Sequence, residues 1–155
     1  MKQDKVFAVV KKAGAGSEIR LIEKNPRILN ELAEGKRELI PFPAVRGLGV
    51  AFDGEAKEKG KQPNCFLPEY NDLLLGTVVI TGINTETGFV SLTEEQAEKI
   101  EEYLKANDAK DFNGNVEEKI ASGYLPPSEE NALFSMLSEI KTKHKAMKFK
   151  WLSRR

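Results

Sequence analysis

The chain has 155 residues, with 24 basic and 24 acidic side chains, one cysteine and one histidine. That length suits one ordinary domain, which buries about two thirds of its unfolded surface and needs no disulfide or metal staple. The balanced charge argues against an acidic DNA mimic and against a wholesale nucleic-acid coat protein. A lone cysteine, with no apolar stretch of membrane-spanning or signal-peptide length, gives a cytoplasmic reading.

Apolar residues cluster from Lys5 to Lys12 and place Ile19 and Leu21 on one face of Ser17 to Ile22, which predicts two strands. Between them Ala13-Gly14-Ala15-Gly16 reads as a hairpin loop. Asn25-Pro26 then opens a short helix with Ile28, Leu29 and Leu32 as its apolar stripe and Gly35 as its stop. Glu38 to Phe42 and Leu48 to Phe52 are strand candidates interrupted by Pro41, Pro43 and Gly47. A polar loop is expected from Asp53 to Pro63, followed by the short apolar island Asn64 to Pro68.

Leu73 to Gly82 gives the strongest strand signal, because Val78, Val79, Ile80 and Thr81 are consecutive β-branched residues. After a turn at Asn84 to Gly88 comes a brief strand, Phe89 to Ser91. Thr93 and Gln96 then form a capping box for a helix whose buried stripe is Ala97, Ile100 and Leu104. These elements predict a compact α+β domain over residues 1–108, with a mixed or antiparallel sheet of five to seven short strands and two packed helices.

Residues 109–155 read as a helical extension. Residues 1–108 hold 15 Lys/Arg against 18 Asp/Glu, whereas residues 109–155 hold 9 against 6. A basic helix starts at Pro126-Pro127, with Leu133, Met136, Leu137, Ile140, His144, Met147 and Trp151 on one face. That stripe is expected to dock on the domain or on a second subunit, the second being favoured, and so makes the protein a homo-oligomer. Lys143, Lys145, Lys148, Lys150, Trp151 and Arg154 interleave charge with an aromatic ring, as contacts to a partner protein or to nucleic acid would require.

Chemistry has few starting points. Cys65 and His144 lie far apart in the chain, two such ligands fall short of a zinc site, and no cofactor or catalytic residue is expected. Asp53, Glu55, Glu69 and Asp72 are carboxylates on or near loops, a pattern shared by solvated rims and working acids alike. Arg46 beside Gly47 and Gly49 could present its guanidinium to an anion. Asn64 and Asp72, placed in irregular segments before the central strand, join Arg46 as the ligand-binding candidates.

From Val6 to Leu104 the order of signals resembles a family of phage and mobile-element proteins of Gram-positive bacteria known only as a domain of unknown function, number thirty-eight forty-six. The resemblance is carried by the helix Asn25 to Gly35, the Asn64 to Pro68 island, Asp72 with Leu75-Gly76-Thr77, Thr81-Gly82, and Phe89 to Gln96. The family's glycine-rich turn after the first helix is here Gly35-Lys36-Arg37, and nothing after Asp108 follows its pattern. The resemblance implies a mobile-element origin and a compact α+β domain, without supplying an activity. The expected function is therefore an accessory binding protein, not an enzyme, that modulates or blocks host machinery such as a defence system through contact with a host protein. The alternatives are a sequestering protein for an anionic nucleotide or other small molecule, and a nucleic-acid accessory protein using the basic tail.

Overall fold

The structure, a computed structural model, describes residues 5–84 and 88–121. Two strands, β1 (Lys5–Lys11) and β2 (Ser17–Glu23), form an antiparallel hairpin in which Phe7 pairs with Leu21 and Val9 with Ile19. Gly14 takes φ 81° in the loop, the left-handed conformation that a tight return requires. Helix α1 (Pro26–Ala33) starts where the Asn25 side chain accepts from the Arg27 N–H at 3.0 Å, with proline at the first turn.

The helix stops differently from the sequence expectation. Glu34, not Gly35, takes the left-handed φ of 60°. Gly35 is needed for a close approach instead, since a Cβ there would lie 2.3 Å from the Asp53 carboxylate carbon. Strands β3 (Arg37–Pro41) and β4 (Leu48–Asp53) follow, and the polar loop expected after them contains the short helix α2 (Ala56–Lys59).

The stretch Leu73 to Gly82 is two strands in two sheets. Strand β6 (Asp72–Leu75) pairs with β5 (Pro63–Leu67) in a two-stranded sheet, and β7 (Val78–Asn84) is the centre of the larger one. The break falls at Gly76, whose φ of 81° no β-branched residue tolerates and where a Cβ would press on the Lys61 side chain at 3.0 Å. Strand β8 (Gly88–Val90) also pairs with β7, so the larger sheet runs β2-β1-β7-β4-β3 with β8 beside β1 on the β7 edge. Every pairing is antiparallel.

Alternation along the strands builds two cores. Val6, Ala8, Val10, Ala51 and Val79 face helix α1 with Leu29, while Val9, Val50, Phe52, Val78 and Ile80 face helix α3 (Glu94–Ala106) through Ala97, Ile100 and Leu104. The smaller sheet is buried on both sides, which explains an unbroken Leu73-Leu74-Leu75 run. Leu74, Cys65 and Leu67 join the α3-side core, whereas Leu73 and Leu75 lie against Ala56 and are covered by Phe112, Val116 and Ile120.

A 3-10 turn (Ala109–Asp111) and helix α4 (Val116–Ala121) supply that cover, so the packed unit continues past Asp108 to Ala121. Phe112 stacks on Phe66 with ring centroids 4.6 Å apart. Among the described residues, no helix is long and apolar enough to cross a membrane.

Candidate functional site

Helix α3 begins with the capping box read from the sequence: Gln96 N–H donates to Thr93 Oγ1 at 3.1 Å, and Thr93 N–H donates to Gln96 Oε1 at 2.8 Å. Its start is tied to β1, because Leu92 N–H donates to the Phe7 carbonyl and Phe7 N–H donates to Ser91 Oγ. Ser91 thus anchors the sheet edge while Thr93 alone caps the helix. From there α3 runs along β1 and β2 towards Lys11, where Asp108 Oδ2 meets Lys11 Nζ at 3.3 Å.

Between the second half of α3 and the β1–β2 loop lies a cleft of about 730 Å³. One wall is the α3 stripe Glu98, Glu101, Glu102 and Lys105, which the 3.6-residue period brings to one side. The other is the backbone of Gly14 to Gly16 with Ser17, whose hydroxyl donates to Glu101 Oε2 at 3.3 Å. Lys11 forms part of the floor, is 1% exposed and also donates to the Asn64 carbonyl at 3.2 Å. With Lys11 and Asp108 paired, the lining has three glutamates against two remaining lysines, Lys105 and Lys110, and Leu104 adds an apolar element. Ile19, 46% exposed, follows Ser17 on the same face of β2, so the cleft leads onto an apolar strip formed with Leu21 and Phe7.

The three ligand-binding candidates from the sequence do not meet. Arg46 is exposed in the turn between β3 and β4, at the end of β4 where Leu48 pairs with Gly82. Asn64 lies beyond the opposite end of β7, near Val78 and its partner Lys11. Four residue steps along β7, from Val78 to Gly82, separate those rungs, about 13 Å of extended strand. Asn64 is in β5, wholly buried, and its Nδ2 donates to the carbonyls of Lys11 and Gly76, each at 2.7 Å. These two bonds stitch the small sheet to the large one. Its Oδ1 is buried with no hydrogen-bond partner among the described residues.

Asp72 opens β6 opposite Leu67, at the other end of the small ladder from Asn64. Its Oδ1 accepts from Lys57 Nζ at 2.7 Å and from the Leu73 N–H at 2.8 Å, with both side chains of the ion pair nearly inaccessible. Lys57 also donates to the Lys119 carbonyl, which fastens α4 to the core. Lys143, Lys145, Lys148, Lys150, Trp151, Arg154 and His144 lie outside the described residues.

A second buried carboxylate, Asp53, is held by Lys59 Nζ at 2.7 Å, Lys61 Nζ at 2.9 Å and the Glu55 N–H at 2.9 Å. Burial pushes its pKa upward, but the hydrogen bonds from the two lysines and the backbone outweigh that and bring it down to about 2. Cys65 is buried, and the apolar surroundings push its thiol up to about 12. Among the described residues, no group of three or more His, Cys, Asp or Glu side chains is placed to hold a metal ion.

Matched against known families, residues 8–105 fit the profile of domain of unknown function 3846 (DUF3846). The chain belongs to the DUF3846 family. No curated protein and no solved structure matches it. In this DUF3846 protein the matched segment spans β1 to α3 and therefore both walls of the cleft, while the cover formed by residues 109–121 follows it. The cleft glutamates were missed because a helix that buries Ala97, Ile100 and Leu104 and carries its glutamates on the remaining positions reads as having a solvated face until its neighbour is known. A signal was present in Glu98, Glu101, Glu102 and Lys105, which share a helical stripe. Lys11 gave none, since nothing local marks a strand-end lysine for burial.

Proposed function

We propose that this protein is an accessory binding protein of a phage or mobile element, acting without catalysis by capturing a host protein through the cleft beside α3. The observation that supports this is the pairing of an acidic wall, Glu98, Glu101 and Glu102, with the apolar strip Ile19, Leu21 and Phe7. A lysine or arginine side chain suits both parts, because its stem covers apolar surface while its head meets carboxylates. With Lys11 paired to Asp108, three glutamates remain against Lys105 and Lys110, and that negative balance disfavours an anionic nucleotide there. The inert, buried Cys65 thiol fits a role in binding and not in turnover.

A fluorescent peptide of alternating lysine and leucine is a direct probe. It should bind with an affinity that falls as salt rises. Combined Glu98→Gln, Glu101→Gln and Glu102→Gln should weaken binding by about tenfold or more, since charge-assisted contacts are worth roughly 1.5 kcal/mol or more each. The control Glu117→Gln with Glu118→Gln, on α4, should leave it unchanged. Equal loss in both variants, or no loss in the first, would refute the cleft as the contact.

A further inference from the structure

We propose that β2 pairs antiparallel with β2 of a second copy of this chain, on a two-fold axis through Ile19, joining the two large sheets into one. The direction of the β2 backbone follows from β1. Phe7 gives its N–H to Ser91 Oγ and its carbonyl to the Leu92 N–H, both on the side away from β2. Phe7 and Leu21 therefore form a rung without mutual hydrogen bonds, and Leu21 turns its own N–H and carbonyl to the outer side. By the two-residue period Ser17, Ile19 and Glu23 do the same, and no strand among the described residues meets them.

This is a long, regular edge. It carries no proline and no bulge, whereas β3 at the other edge ends in Pro41. Ile19 and Leu21 stand 46% and 53% exposed along it, and Phe7 beside them 49%.

Charge selects the register. An axis through Ile19 sets Glu18 opposite Arg20 of the second copy, and Arg20 opposite its Glu18, with Ile19 facing Ile19 and Ser17 facing Leu21. An axis through Arg20 would set that arginine against itself, and an axis through Leu21 would set Ile19 against Glu23. Opposite charges across a rung stabilise it and like charges oppose it, so the first register is preferred. Because Ser17 lines the cleft, Leu21 of the second copy would extend its apolar rim. The pairing stands on the edge geometry and does not depend on what the cleft binds.

Sedimentation equilibrium of the full chain should show a concentration-dependent dimer. Arg20→Glu and Glu18→Arg should each weaken it by about tenfold or more, since each variant replaces two attractive pairs by two repulsive ones. The combined exchange should restore it. Ile19→Cys should give a disulfide-linked dimer on mild oxidation, because directly opposed, hydrogen-bonded residues have Cα atoms about 5.5 Å apart. Leu21→Cys, facing Ser17, should not, and buried Cys65 leaves a silent background. A monomer at all concentrations, a combined variant as weak as the single ones, or equal cross-linking from Leu21→Cys would overturn the proposal.

Discussion

Replacing Asp72 by asparagine tests whether this residue serves folding more than ligand contact. The Lys57 ammonium sits 2.7 Å from Asp72 Oδ1, with side-chain exposures of 4% and 6%. Removing the carboxylate charge leaves a cation with almost no water around it. Breaking one partner of a buried pair costs about 3–5 kcal/mol. For a chain of this size each kcal/mol moves the midpoint by roughly 3–4 °C, so Asp72→Asn should melt about 10–20 °C below the native chain.

Joint replacement, Lys57→Met with Asp72→Leu, removes both charges and their desolvation, and should recover most of that loss. Some deficit should persist, because the Leu73 N–H and the Lys119 carbonyl each lose a partner. Thermal melts by circular dichroism, run as a double-mutant cycle, measure the difference. A midpoint for Asp72→Asn within about 2 °C of native would refute the argument, since under 1 kcal/mol is typical of exposed pairs.

Two further outcomes follow from buried groups. Asp53 has its pKa lowered from 3.8 to about 2, so its contribution is fully present above pH 4 and is lost as pH falls through that interval. It amounts to roughly 2 kcal/mol, and urea unfolding should show stability falling between pH 4 and pH 2 in the native chain but much less in Asp53→Asn. Cys65, with its thiol raised to about 12, should resist alkylation at pH 8 and react at once in denaturant; rapid labelling of the folded protein, followed by mass spectrometry, would show the thiol to be accessible.

Local rules in the sequence determined much of the fold. Asn25-Pro26 and the Thr93/Gln96 box placed two helix starts, the glycines after Lys12 placed the first hairpin, and Ala97, Ile100 and Leu104 marked the buried stripe of α3. Each depends on neighbours within a few residues, which is why it is legible without the fold. The DUF3846 membership was likewise legible in the order of these elements.

Only the tertiary structure decided where β6 ends and β7 begins. A run of apolar residues has the same pattern whether one sheet or two bury it, and the Gly76 turn is imposed by the packing of the small sheet on the large one. The same holds for the polar residues. Asn64 and Asp72 looked like loop residues free to meet a ligand, yet long-range partners, Lys11 and Gly76 for one and Lys57 for the other, draw them inside. The cleft arises in the same way, from an acidic stripe and a hairpin some 84 residues apart in sequence. A side chain's chemistry is written in its residue type, but whether it faces water, an ion partner or a cleft is fixed by chain segments that only folding brings beside it.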